Sequence, residues 1–444
     1  MHIGNVAIDT RTLQPGDFFV ALRGPRFDGH EFVGDALGRG AIGAVVERGF
    51  AGRGVPPPRD VALVEVGDTT KALQDLAHAV RKASGTRVVA ITGSAGKTTT
   101  KEAIAEFLSV RFRVVKNRGN LNNHIGLPLS LLQLRERPDV AVMELGMNHA
   151  GEISLLVAIS EPELRVWTNV GDAHLGLLGS PEAIADAKAE ILERAGPDHV
   201  LVCNADDPRV MARVGRFPGR TVTFGTSARA DVRAREVEEL GIDGMRARVT
   251  TAAGERPLST ALVGRGNLDN VLAATAVALD FGVPLDAIVA AAARLTPADR
   301  RGAVRRLRDG VVLIDDSYNS SPAALGRALE VVAKESRASR KAAVLGEMLE
   351  LGEHAIALHQ ESGRAAAAAG LGLLVAIGGE PARALAEAAV DAGLPASAVS
   401  YFETSELAAP AVAGAIRAGD LVLVKGSRGT RTDVVADRIA GEFS

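Results

Sequence analysis

The chain has 444 residues, 47% of them apolar and 24% charged. At roughly 100–200 residues per domain that length predicts about three domains, each able to bury a core, and it excludes global disorder. The 51 basic and 54 acidic residues leave a net charge of −3, which excludes a general pull toward nucleic acid or an anionic membrane.

A single cysteine, Cys203, excludes an internal disulfide and a cysteine-built zinc cage. The longest uncharged apolar stretch, 365–379, falls short of the ~20 residues of a membrane span. The start, Met1 to Asn5, lacks a basic region followed by an apolar one, so no signal peptide is expected. The chain reads as cytoplasmic, with no membrane span and no nucleic-acid partner; a monomer is expected, although the sequence does not fix the oligomeric state.

Residues 1–82 read as a small α/β domain. Asp17 to Leu22 and Ala44 to Val46 are predicted strands, with a turn at Phe27 to His30. Gly52 to Asp60, with three consecutive prolines, is predicted as an exposed loop. Thr70 to Lys82 is predicted as a helix with Leu73, Leu76, Ala77 and Val80 on its inward face.

Residues 83–298 alternate apolar runs with helical stretches. The runs are Val88 to Ile91, Val140 to Met143, Val166 to Asn169 and Val200 to Cys203. Strands apolar on both faces predict a parallel sheet covered by helices on each side. Thr221 to Phe224 and Arg246 to Val249 read as strands added near an edge, and Asn270 to Leu279 as a helix. Leu295 to Gly302 reads as a linker. Residues 299–444 alternate again, with runs at Val311 to Ile314, Ala342 to Leu345, Leu373 to Ile377 and Leu421 to Val424. They predict a second, Rossmann-like doubly wound sheet. Ligands of such sheets gather beyond the carboxyl ends of the strands.

Val88 to Ile91 runs into Thr92-Gly93-Ser94-Ala95-Gly96-Lys97-Thr98-Thr99, and a helix follows. Strand, glycine-rich turn, Lys-Thr and helix form a phosphate loop. Gly93 and Gly96 let backbone N–H groups approach phosphate oxygens. Lys97 brings a point charge, and Thr98 a hydroxyl for Mg²⁺. The strict eight-residue pattern is not met, because Ile91 occupies its first glycine position. An ordinary strand–helix turn is the competing reading. Glu144, at the end of the Val140 run, is a candidate Mg²⁺ ligand opposite Thr98.

These motifs resemble those of the Mur ligase family, ATP-dependent amide ligases of peptidoglycan precursor assembly. Thr92 to Thr98 is similar to the family's phosphate loop. Asp9-Thr10-Arg11, Pro15 to Phe19 and Asp28-Gly29-His30 resemble its amino-terminal, uridine-nucleotide-binding domain. Asn120 to Pro128, Glu144 to Asn148, Asp316 to Asn319, Gly346 to Gly352 and Lys425 to Arg428 resemble the member that handles D-alanyl-D-alanine. The likeness runs nearly end to end, in family order.

The resemblance implies three domains: uridine-nucleotide binding over 1–82, ATP binding over 83–298, and a domain over 299–444 that closes on ATP and dipeptide. It implies ATP and two Mg²⁺ ions, with UDP-N-acetylmuramoyl-tripeptide and D-alanyl-D-alanine as substrates. It makes His174 a ligand of the second Mg²⁺. It makes Lys188 an N-carbamylated ligand, where the position alone would suggest a solvated helix lysine. Forming the carbamate requires a neutral amine, which is about one molecule in 2,500 at pH 7 for a lysine of pKa ~10.4. Asn270 is implied toward adenine, with Asn267 beside it; Gly266 stands where the family often has histidine. The linker arginine maps to Arg301, with Arg300 the neighbouring alternative. The nucleotide-contacting aspartate maps to Asp316, with Asp315 one register step away. Asn319, Glu347 and the segment to Gly352 are implied to face the dipeptide.

Three rivals remain at this level. One is a Mur-type ligase adding lysine or diaminopimelate, to which Asp207-Pro208-Arg209 bears a superficial likeness; its place in the central domain reads as a turn instead. The others are a phosphate-loop kinase or ATPase, and a non-catalytic scaffold.

Overall fold

The computed structural model describes residues 4–25, 27–50, 61–172 and 175–444. The loop predicted at Gly52 to Asp60 and the candidate ligand His174 therefore fall wholly or largely outside the described residues.

Three sheets follow one another along the chain. The first holds β1 (Val6–Ala7), β2 (Phe18–Val20), β3 (Gly43–Glu47) and β4 (Ala62–Val66), all parallel. Its small core is built on Phe19, Ala21, Val33, Ala44 and Val46.

The helix Thr69–Ser84 leads to the second sheet. Asp68 caps its start by accepting from the Lys71 N–H at 3.0 Å, and Gly85 ends it in the left-handed region at φ +69°. Leu73 and Ala77 are buried as expected, but Leu76 is 42% exposed. The inward face instead takes in Gln74 and Arg81. Arg81 is buried because its guanidinium donates to the Ser160 and Glu161 carbonyls and pairs with Glu163. This helix thus turns its face to the central lobe and not to the first sheet alone.

The central sheet has nine strands: β5 (Arg87–Thr92), β6 (Val114–Lys116), β7 (Val140–Glu144), β8 (Leu164–Trp167), β9 (Val200–Asn204), β10 (Arg220–Gly225), β11 (Val232–Glu239), β12 (Met245–Thr251) and β13 (Gly254–Thr260). Their order is β13-β12-β11-β10-β9-β8-β5-β7-β6. From β11 to β6 every pairing is parallel; β12 and β13 add an antiparallel hairpin. The hairpin extends the expected parallel sheet at the edge, where Arg246 to Val249 is expected as an added strand; β12 alternates buried and exposed residues and so needs cover on one face only. β10 lies inside the sheet and not near its edge.

Alternation along the apolar strands fills both faces. Val89, Ile91, Val142, Val166 and Val202 pack under the helices Lys97–Leu108 and Arg265–Asp280. Val88, Ala90, Met143, Trp167 and Cys203 pack on the other side. Burial pushes the Cys203 thiol up to about 12.

The third sheet holds β14 (Ala303–Arg306), β15 (Val312–Asp316), β16 (Arg340–Gly346), β17 (Leu373–Ile377), β18 (Val399–Phe402) and β19 (Asp420–Lys425), in the order β14-β15-β19-β16-β17-β18. All its pairings are parallel except the edge strand β14. Cores lie on both faces, as a doubly wound sheet requires. No helix among the described residues is long and apolar enough to cross a membrane.

Candidate active site

The carboxyl end of β5 opens into the phosphate loop, and the helix Lys97–Leu108 starts on Lys97. Gly96 stands in the left-handed region at φ +83°, and a Cβ there would sit 2.9 Å from the Asn270 amide carbon. A Cβ on Gly93 would run into the Thr168 hydroxyl. Both glycines are needed for close approach, as well as for phosphate access.

The loop is shaped by the neighbouring strand end. Asn169 accepts from the Ala95 N–H at 2.9 Å and donates back to the Ala95 carbonyl at 3.0 Å. Thr168 donates to the same carbonyl at 2.8 Å, and the Gly171 N–H donates to the Ser94 hydroxyl at 2.8 Å. These clamps are roles that motif reasoning did not assign. The signal for them was the position of Thr168 and Asn169 just beyond β8, beside β5.

Lys97 donates to the Gly93 carbonyl at 2.7 Å. Burial holds its ammonium below the usual lysine range; Glu144 pulls it back up and Arg301 pushes it down. Arg301, in the linker, is thus one of the charges felt at Lys97.

Thr98 donates to Glu144 Oε2 at 2.8 Å, and Asn122 donates to Glu144 Oε1 at 2.8 Å. Glu144 is 3% exposed. Asn117 locks its backbone from both sides, accepting from the Glu144 N–H at 3.0 Å and donating to its carbonyl at 3.1 Å. The buried Lys101 ammonium in turn donates to the Asn117 carbonyl at 2.8 Å. Nothing in the spacing pointed to Asn117 or Lys101, because their roles arise only when β6 and β7 pair.

Lys188 lies on the helix Pro181–Ala189, whose start is capped by Ser180 accepting from the Ala183 N–H at 3.1 Å. The side chain is 1% exposed, which corrects the reading of a solvated lysine. Burial first, then the Lys97 charge, drive its amine well below the ordinary lysine range.

Asn270 is buried. It accepts from the Thr100 hydroxyl at 3.2 Å and donates to Asn267 at 3.1 Å. The structure thus places it behind the phosphate loop, bracing Gly96 and Thr100.

The linker arginines divide. Arg300, in the left-handed region at φ +55°, pairs with Asp433 and Asp437 of the third lobe. Arg301 lies over the Tyr318 ring, 4.1 Å from its centroid, with Arg428 at 5.7 Å from the same ring. Asp315 is buried and bonded to the Ser317 hydroxyl at 2.6 Å. Asp316 is partly exposed and pairs with the buried Lys425 ammonium at 2.6 Å. Lys425 also donates to the Asn319 carbonyl at 3.0 Å. Glu347 accepts from the Gly379 N–H at 2.6 Å.

Asp207 is a helix cap, accepting from the Arg209 N–H at 2.9 Å, and it also accepts from the Val170 N–H at 2.7 Å. His30 uses both ring nitrogens within the first lobe, on Asp28 and on the Glu47 N–H.

Among the described residues no three His, Cys, Asp or Glu side chains gather as a metal cluster. The pair Thr98 and Glu144 nevertheless suits one Mg²⁺. Both donors are hard oxygens, and the buried carboxylate is hydrogen-bonded by neutral groups, a hydroxyl and an amide.

Family models match all three lobes. The Mur ligase family catalytic domain matches residues 2–81, the Mur ligase middle domain residues 91–278, and the Mur ligase glutamate ligase domain residues 300–428. This chain belongs to the Mur ligase family. It is 34% identical over 443 residues to the UDP-N-acetylmuramoyl-tripeptide–D-alanyl-D-alanine ligase of Bacillus subtilis, covering 100% of this chain and 94% of that one. Its structure is similar to MurF of Acinetobacter baumannii, with TM-score 0.87, 31% identity, and 99% and 94% of the two chains covered. It is also similar to MurF of Thermotoga maritima in complex with ADP, with TM-score 0.85, 29% identity, and 99% and 97% covered. The family membership answers the rival of a simple phosphate-loop kinase.

Proposed function

We infer that this chain is an ATP-dependent ligase that joins D-alanyl-D-alanine to UDP-N-acetylmuramoyl-tripeptide in peptidoglycan biosynthesis. The products are UDP-N-acetylmuramoyl-pentapeptide, ADP and phosphate. The reading is carried by the end-to-end likeness to the Bacillus subtilis ligase of that name. On this reading, residues 1–82 take the uridine nucleotide, 83–298 ATP, and 299–444 close on ATP and the dipeptide.

A carboxylate is a poor electrophile, and ATP is polyanionic. Transfer of the terminal phosphoryl group to the tripeptide carboxylate gives an acyl phosphate, which the dipeptide amine attacks to form the amide with loss of phosphate. The chain must neutralise charge and align the partners. The N–H groups of Gly93 to Thr99 and the Lys97 ammonium hold the phosphates. Arg301 adds positive charge from the linker side. Asp316 holds the nucleotide from the third lobe, positioned by Lys425. Thr98 and Glu144 would hold one Mg²⁺; Lys188, as a carbamate, with His174 would hold another. Mg²⁺, when bound, supplies charge neutralisation at the phosphate oxygens. The depressed Lys188 amine supports the carbamate, because CO₂ adds only to the neutral form.

The deciding experiment is phosphate release measured with each UDP-peptide and each acceptor, alone and paired. Release that requires both UDP-N-acetylmuramoyl-tripeptide and D-alanyl-D-alanine supports the assignment. Release with lysine or diaminopimelate as acceptor overturns it.

A further inference from the structure

Two of the contacts between the central and third lobes have opposite character. The first is a plug. Ile242, at the turn between β11 and β12, is 8% exposed and belongs to the third-lobe core with Leu325, Leu329 and Val332. Asp243 pairs with Arg306 and Arg337 around it, and Glu239 pairs with Lys334 at 2.8 Å. The second contact is backbone on backbone. The Gly176 N–H donates to the Glu350 carbonyl at 3.0 Å. A Cβ on Gly176 would sit 2.8 Å from the Gly352 Cα and from the Leu351 carbonyl carbon.

The third-lobe side of that second contact is rigid. The Met348 N–H donates to His359 Nε2 at 2.9 Å, and the Leu349 N–H to the Ser427 hydroxyl at 2.9 Å. Met348 and Leu351 are buried, and Gly352 holds φ +56°. The central-lobe side is the helical turn Leu175–Leu178, just ahead of the Ser180 cap of the helix that carries Lys188. A plug of buried side chain and ion pairs resists separation, whereas two bare glycines touching can part and meet again at low cost.

We propose that Gly176 and Gly352 are a positioning pair, the stop that sets how closely the third lobe approaches the central lobe during ligation. The proposal rests on the ligase reading for its chemistry, and on the glycine contact for its geometry. Gly176 is assigned no substrate contact, and Gly352 closes the segment implied to face the dipeptide; the pair acts by fixing the distance between the groups that react.

The test variant is Gly176→Ala. Gly176 is not in the left-handed region and lies in a helical turn, so alanine suits its own lobe, and only the approach to Gly352 is obstructed. Gly215→Ala is the control, because Gly215, also in the central lobe, lies outside the left-handed region and has nothing within 4 Å of its Cβ position. Small-angle scattering with UDP-N-acetylmuramoyl-tripeptide and a non-hydrolysable ATP analogue reads compaction, and ligation kinetics read kcat and KM. Gly176→Ala is expected to stay more extended and to lose about tenfold to a hundredfold in kcat, with KM for ATP held within about twofold. Gly215→Ala is expected to compact like the unaltered chain. Should Gly176→Ala fail to fold, Gly352→Asn is read in the same way, since asparagine tolerates the left-handed backbone. An unchanged kcat, or a lowered kcat with unaltered compaction, overturns the proposal. An unaltered chain inert in ligation overturns the ligase reading alone, and the scattering comparison still decides the stop.

Discussion

Lys97, Lys188 and Asp269 show three consequences of burying a charge. Lys97 is the cation nearest the phosphate loop, and removing one preorganised charge of this kind typically costs about 3–4 kcal/mol of transition-state stabilisation. Lys97→Ala is therefore expected to lower kcat at least about a hundredfold in the phosphate-release assay. Near-normal turnover would remove its assigned role. Lys188→Ala is expected to abolish ligation and to regain part of it with added acetate or formate, which restore an anionic oxygen. An unmodified Lys188 in the mass of the intact protein, with no rescue, would exclude the carbamate.

Asp269 concerns stability. Burial, then the Asp206 charge, raise its carboxyl from the ordinary aspartate range to about 6. Between those values the folded chain keeps a proton that the unfolded chain releases, so stability falls as pH rises through this window. Asp269→Asn should stabilise the protein by about 1–2 kcal/mol above pH 6, after screening by its partial exposure, and have little effect below about pH 4. Urea unfolding at pH 4 and pH 7 reads the difference; equal effects at both would refute the assignment.

At the scale of elements, the helix Thr69–Ser84 shows what local pattern can and cannot give. Its existence was legible from apolar spacing, but the expected span Thr70 to Lys82 falls one residue short at the start and two at the end, where Asp68 and Gly85 close it. Its inward face was misjudged at Leu76. Apolar spacing cannot show that an arginine, Arg81, will be drawn inward by the carbonyls at the end of a distant helix. Arg81→Met strips those carbonyls and Glu163 of their donor, and is expected to cost about 3 kcal/mol in urea unfolding. A loss under about 0.5 kcal/mol would mean that water replaces it freely.

The candidate site divides in the same way. Gly93 to Thr98 and Glu144 were readable, because glycine, lysine and threonine at fixed spacing after an apolar strand have few other uses. Asn117, Thr168 and Lys101 were not, since their bonds join segments that only the sheet brings together. Lys188 was half legible: the helix and its cap were plain, but burial is a property of the packed lobe. Of the antiparallel pair, β12 was legible as an added strand at Arg246 to Val249, while β13 was not, because its exposed first half carries no two-fold alternation.

At the scale of the whole molecule, the plug at Ile242 couples two lobes that would otherwise be joined by the linker and the glycine contact. Ile242→Ala deletes apolar volume from the third-lobe core and is expected to cost about 2–4 kcal/mol. The loss should fall on the third lobe and on its coupling to the central one. Scanning calorimetry is expected to show the heat absorption dividing into separate peaks; a single peak moved bodily downward would argue that Ile242 is ordinary core.

Cys203 has a practical corollary. Its thiol is fully enclosed at the floor of the central lobe and is held protonated far above neutral pH. Maleimides and spin labels therefore find no native target in the folded chain. Cysteines placed on outer surfaces of the central and third lobes would be the sole reactive handles, so paired fluorophores could test the proposed approach of the two without first stripping a background.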